Sequence, residues 1–263
     1  MYILEIEGDE DLILARLYLT ASTGSTTENG LVSAYFDSEG DREAAAEALD
    51  GFTTRKVDRD RVDWLDLYQQ SLHPLYIGER FIVAPDAALI PKDNDRLQLV
   101  VPQEQAFGTG SHETTSLCIE LLETLDLAGK RGLDVGAGSG ILALAMMRLG
   151  AEKAIAFDND LDAYAALREN MVRNEVLHGH MSIFIGGIEA LRGGVFDVVT
   201  MNIIPEVIIP ILPEVTRHVR GALIVSGVLT ERRDDVVAAM RGFRIAAERT
   251  KGEWWASLAV RSE

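Results

Sequence analysis

Gly136, Gly138 and Gly140 alternate with Ala137 and Ser139 directly after the apolar run Leu133-Asp134-Val135, and Asp158 closes the next apolar run. A glycine turn between a strand and a helix lets a ligand approach the backbone and leaves helix amide N–H groups to bind it. A carboxylate about 20 residues on, at the end of the following strand, can accept hydrogen bonds from both hydroxyls of a ribose. The chemistry on offer is therefore a grip on an adenosine-containing cofactor, with Gly136, Gly138 and Asp158 as its residues. A dinucleotide fingerprint would place glycine at position 141, where Ile141 stands, so the spacing favours S-adenosylmethionine (SAM). A tight turn in an ordinary α/β domain is the competing reading. Asp134 either orients the glycine loop or receives the cofactor's amino group, or else stabilises the turn through local backbone bonds.

Two further constellations carry chemistry. Ala106-Phe107-Gly108-Thr109-Gly110-Ser111-His112-Glu113-Thr114-Thr115 packs glycines, hydroxyls and an imidazole into one short loop before a helix. That composition suits a loop that shapes a site, although Ser111 or His112 alone would also serve as a helix cap. Asn202 ends an apolar strand and is followed by Ile203-Ile204-Pro205. A residue there points toward the reactive end of a cofactor bound at the sheet edge. With no aromatic after it to stack on a planar group, an aliphatic amine is the better-suited acceptor. An asparagine that merely turns the chain is the alternative.

These residues need a scaffold, and the pattern supplies one. From about residue 105 helices and strands alternate: helix 114–125, strand 131–135, helix 141–149, strand 153–157, helix 161–174, strand 181–185. Strands at 195–202, 222–226 and 254–260 follow, the alternation of a parallel sheet covered by helices. Residues 1–60 read as a separate small α+β unit of strand, helix (12–19), strand (31–36), helix (42–49) and strand (52–57), a ferredoxin-like or split β-α-β layer. It holds no catalytic constellation and is expected to serve recognition. Residues 61–79 read as a connecting helix and linker through Trp64, Leu65, Tyr68 and Leu72, and 80–263 as the catalytic domain.

The composition narrows the classes further. There are 42 acidic and 25 basic residues, a net charge of −17, which argues against nucleic acid or anionic membrane and for a basic partner. The single cysteine, Cys118, excludes an intrachain disulfide and a cysteine zinc cluster, and its apolar neighbours predict a buried residue. The start has no signal-peptide pattern, so a cytoplasmic protein is expected, as a monomer and without a metal. The most apolar run, 207–212, is interrupted by Pro205, Pro210 and Pro213 and is not expected to span a bilayer.

Taken together, AFGTGSHETT, LDVGAGSGILA, AFDND, Arg168-Glu169-Asn170, MNII and the closing Gly252-Glu253-Trp254 resemble the ribosomal protein L-eleven (L11) methyltransferase family, PrmA-type. The resemblance implies a Rossmann-like SAM-dependent methyltransferase domain behind a small substrate-recognition domain. It implies methylation of lysine ε-amines and the N-terminal α-amine of that ribosomal protein. Other acceptors in the same class are another protein or a small amine, and a silent SAM- or protein-binding module is the non-enzymatic alternative. By motif, Thr115, Gly136, Asp158 and Asn202 correspond to SAM-contacting positions, and Phe107 and Thr109 to the methyl-transfer pocket. His112 is a further catalytic candidate. The chain departs from the family at Gln103-Glu104-Gln105, where Pro-Gly often precedes the motif, and at Asn159-Asp160, where Asp-Pro often follows the ribose acid.

Overall fold

The computed structural model describes residues 2–28, 30–58, 73–102, 112–176 and 179–262. It divides into two compact units, 1–71 and 72–263. The expected connecting helix around Trp64 lies outside the described residues.

In the first unit, β1 (Tyr2–Glu7), α1 (Glu10–Leu17), β2 (Gly24–Glu28), β3 (Leu31–Phe36), α2 (Glu39–Ala48) and β4 (Thr53–Asp58) form a sheet of order β2-β3-β1-β4. Every pair in it is antiparallel, as in the split β-α-β layer read from the sequence. Asp9 and Ser38 cap the two helices, accepting the amides of Leu12 and Asp41, which sets both helix starts earlier than apolar spacing alone suggests. The core joins Leu4, Ile6, Val32, Ala34 and Phe36 of the sheet to Ile13, Leu17, Ala45 and Leu49 of the helices. Strand β2, of sequence GSTTE, was not expected; it has no apolar alternation to betray it.

The second unit opens with a small sheet of β5 (Leu75–Ile77), β6 (Phe81–Ala84) and β7 (Leu97–Val100). Then follow α3 (Glu113–Leu122), β8 (Arg131–Val135), α4 (Ile141–Arg148), β9 (Lys153–Asp158), α5 (Leu161–Arg173), β10 (Met181–Ile185), β11 (Phe196–Asn202), α6 (Pro205–His218), β12 (Val219–Leu229), α7 (Arg233–Ala239), β13 (Phe243–Lys251) and β14 (Trp254–Arg261). The large sheet has order β10-β9-β8-β11-β12-β14-β13. Strands β8 to β12 are parallel, and β14 runs against both β12 and β13. The order reverses between β8 and β11, which opens a crevice at their C-terminal ends.

Two apolar layers sandwich this sheet. Leu117, Cys118, Leu121, Leu144 and Leu167 of α3 to α5 cover one face, and Ile208, Leu212, Val215 and Val236 of α6 and α7 cover the other. Four elements of this unit differ from the sequence reading. The expected 61–79 linker is too long: the second unit begins at Leu72, and β5 pairs with β6 inside it. The proline-rich run is a helix, α6, with Pro205 in its first turn and Pro210 and Pro213 inside it. Both inner prolines lie on the exposed face, where the carbonyls they leave without a donor can turn to water. Helix α7 and strand β13 were missed; β13 alternates the half-buried Phe243, Ile245 and Ala247 with the exposed Arg244, Ala246 and Glu248, and among the described residues it pairs with β14 alone. Among the described residues no helix is long and apolar enough to cross a membrane.

Candidate active site

The crevice holds a cavity of about 660 Å3, walled by the ends of β8, β9, β10 and β11, the start of α3, and the first turns of α6. Gly136, Gly138 and Gly140 all have positive φ, at 68°, 52° and 79°. A side chain at Gly136 would collide with Ile203, and one at Gly140 with Leu167. The turn thus needs glycine for both its dihedrals and its packing. Gly140 caps α4 without a side chain, and the missing capping bond comes from elsewhere.

Asp134 provides it. Its carboxylate accepts the Ala143 amide at 3.1 Å and the Thr200 hydroxyl at 2.6 Å, while the residue is 1% exposed. Burial raises its pKa to about 6, against the lowering effect of the Thr200 and Ala143 bonds. Asp134 is not among the residues that wall the cavity. The structure therefore favours the orienting role over direct receipt of a ligand's amino group.

Asp158 does wall the cavity. One oxygen accepts the Gly138 amide at 2.8 Å and the other the Asp160 amide at 3.1 Å. Each carboxylate oxygen has a second lone pair, so the group fixes the glycine turn and still presents acceptors to a ligand. Beside it Asn159, Gly186, Gly187, Ile188 and Glu189 close that end, with Phe157 beneath.

At the other end stand His112, Thr114, Asn202, Gly227 and Trp254. Asn202 is 8% exposed, and its Nδ2 donates to the Thr115 hydroxyl at 3.3 Å. Its Oδ1 is buried with no hydrogen-bond partner among the described residues. A buried amide oxygen left in that state is a standing demand for an N–H or O–H donor. Thr115 itself faces a side cleft of about 20 Å3 that it shares with Gly136, Gly138, Ile141 and Asn202.

His112 is the N-cap of α3: its Nδ1 accepts the Thr114 amide at 3.3 Å and lies 2.8 Å from the Thr114 hydroxyl. Its ring meets Trp254 edge-on, with centroids 4.9 Å apart. The imidazole therefore both caps and lines the cavity. Phe107 and Thr109 lie outside the described residues.

Sequence reasoning did not single out Trp254, Gly227, the Ile203–Ile211 wall or the Gly186–Glu189 turn as site residues. The last was findable, since it follows β10 at the same sheet edge. Gly227 sits in a bulge of β12 at φ 80°, where a Cβ would strike the Ile203 carbonyl. Nothing local in the sequence signals that contact.

The sheet order, the glycine turn and the site at the switch point define a Rossmann-like methyltransferase domain. The family model described as "Ribosomal protein L11 methyltransferase (PrmA)" matches residues 6–262. The chain belongs to that family. A ribosomal protein L11 methyltransferase from Pelobacter propionicus is 34% identical over 254 residues, covering 88% of this chain and 82% of the relative. One from Vibrio campbellii is 36% identical over 214 residues, covering 78% and 72%. Among solved structures, the ribosomal protein L11 methylase of Lactobacillus delbrueckii subsp. bulgaricus superposes with a TM-score of 0.67 at 26% identity. It is matched over 100% of its length by 73% of this chain.

Proposed function

We propose that the chain transfers methyl groups from SAM to lysine ε-amines and the N-terminal α-amine of ribosomal protein L11, in the cytoplasm. The observation that carries this reading is the unpartnered Asn202 Oδ1 at the end of the cavity opposite Asp158. It asks for a donor such as an amine N–H, where a planar group would ask for an aromatic platform that the following Ile203 and Ile204 do not offer. The residues fit SAM: the glycine turn leaves the backbone open, Asp158 presents acceptors for ribose hydroxyls, and Phe157 and Ile188 offer apolar surface to a base.

When bound, SAM supplies an electrophilic methyl on a sulfonium. The chain must deliver a neutral amine to it. At neutral pH, deprotonating a lysine of pKa ~10.4 costs about 4–5 kcal/mol. The apolar wall of Ile203, Ile204, Val207 and Ile211 desolvates the entering amine and so lowers that cost. Asn202 Oδ1 would accept one N–H of the amine and so orient its nitrogen. Orientation and desolvation then carry the rate, without a dedicated base. Mass spectrometry of unmethylated L11 incubated with the protein and SAM tests this. The expected result is steps of about 14 Da on lysines and the N-terminus; no mass gain while SAM binds would move the acceptor to another amine.

A further inference from the structure

The net charge of −17 conceals an uneven distribution. At the N-terminal edge of the large sheet, opposite the cavity, arginines follow one another from strand to strand. Arg131 opens β8, Arg220 is the second residue of β12, Arg261 the last of β14 and Arg244 the second of β13. Antiparallel register places Phe243 opposite Arg261 and Arg244 opposite Val260, which brings both strands' arginines to this one edge. The turns that feed β11 and β13 add Arg192 and Arg241. All six are exposed, and Arg192, Arg241 and Arg244 have no ion-pair partner among the described residues.

The row is built rather than loose. Arg131 stacks on Phe196 and Arg261 on Phe243, with 5.2 and 5.3 Å from guanidinium carbon to ring centroid. Arg261 also donates to the carbonyls of Val219 and Thr216, which fixes its plane. The acids on this edge include Asp197, paired with Arg220, and Glu214, paired with Arg217, with Asp126 and Glu152 beside the start of β8. Arg220 keeps 59% of its side chain exposed despite that pair.

We propose that this arginine row binds the phosphate backbone of RNA. Five neighbouring strands, β8 to β13, span about 19 Å at ~4.8 Å per strand, long enough for several successive phosphates. Guanidinium forks suit phosphate oxygens, and stacking on a ring holds the fork ready. A folded acidic protein would require a packed apolar centre. A membrane surface would require Trp, Phe or Leu wedges. Val195 is the one large hydrophobic exposed beside the row among the described residues. The total charge does not veto the contact, because acids more than about 8 Å away are screened at physiological salt. The cavity lies about 20 Å off, along the length of β11, so the bound RNA is a tether and not the methyl acceptor.

The test is fluorescence anisotropy of a labelled 20-nucleotide mixed-sequence RNA titrated with the full chain. Binding in the 1–100 µM range is expected at low salt, with log K falling against log salt at a slope of roughly −3 for about four phosphates. The triple variant R192E/R241E/R244E should weaken binding at least tenfold while methyl transfer to free L11 is unchanged. The single variant Arg244→Glu should weaken it by a smaller factor and guards against misfolding of the triple. The inference is overturned by no binding at low salt, by binding that the variants leave intact, or by equal capture on phosphatidylserine vesicles. Loss of methyl transfer in wild-type protein would bear on the proposed reaction alone.

Discussion

The Nδ1 atom of His112 accepts the Thr114 amide and lies 2.8 Å from the Thr114 hydroxyl, so this nitrogen is already engaged in capping α3. Magnitudes separate the two roles. Losing a helix cap costs about 1 kcal/mol of stability, whereas losing a general base costs ~10²–10⁴ in rate. We predict that His112→Ala lowers kcat less than about tenfold and that His112→Asn recovers the lost stability. A fall of more than about a hundredfold in steady-state turnover, with SAM affinity intact by calorimetry, would restore the base. At Asp134 the prediction concerns pH. Its folded pKa of about 6 stands above the ordinary value of 3.8, chiefly through burial. A carboxyl that holds its proton more tightly when folded contributes fully below its unfolded pKa. That contribution is lost as pH rises through 6, by roughly 3 kcal/mol. Asp134→Asn, which cannot ionise, should therefore gain stability relative to the parent between pH 4 and pH 7 in urea unfolding. The same difference at both pH values would contradict this. The placement of Asp158 and Asn202 on the cavity wall was legible because both end strands at the switch point. The role of Asp134 was not, because Thr200 reaches it only through the β8–β11 register.

The elements that were legible are those whose pattern is local. Strands β3, β8 and β10 fall where alternation and apolar runs put them, and α3, α4 and α5 lie within three residues of the expected ends. What failed depends on partners distant in sequence. β2 is polar and exists because β3 pairs with it. α6 tolerates two prolines because its exposed face is hydrated while Ile208, Leu212 and Val215 bury the other. The bulge in β12 is the third such feature, and it governs the site. Between Val225 and Val228 the register with β14 slips, and Gly227 turns to φ 80° so that the backbone can pass the Ile203 carbonyl. Bulges re-aim the residues beside them. Gly227→Ala meets both an unfavourable dihedral and that carbonyl, so a loss of about 1–3 kcal/mol is expected in denaturant unfolding. Because Ile203 follows Asn202, kcat should fall further than SAM affinity does. A variant with parental turnover would remove the bulge from the account of the site.

At the scale of the whole molecule, each unit keeps its own core. Leu4, Phe36 and Leu49 belong to one cluster of buried side chains, and the layers on the two faces of the large sheet belong to two others. Every residue argued to hold SAM or the amine lies in residues 107–254, within the second unit. The first unit carries no catalytic constellation, yet α1 exposes Leu12, and Tyr18 and Leu19 just beyond it are 89% and 85% exposed. Exposed apolar surface of this kind often marks a contact with a protein partner, and we propose that the first unit recognises the substrate protein. Removing residues 1–71 should then separate two quantities that are usually lost together. We expect the fragment 72–263 to unfold cooperatively and to bind SAM within about threefold of the full chain, since it keeps every residue argued to hold the cofactor. Its kcat/KM on L11 should fall at least a hundredfold, which converts to about 2.7 kcal/mol of transition-state binding. Turnover of a free lysine analogue at high concentration should be unaffected, because that substrate never used the first unit. If the fragment methylates L11 as well as the full chain does, recognition resides in the catalytic unit itself. The wall of α6 around Val207 then becomes the surface to dissect.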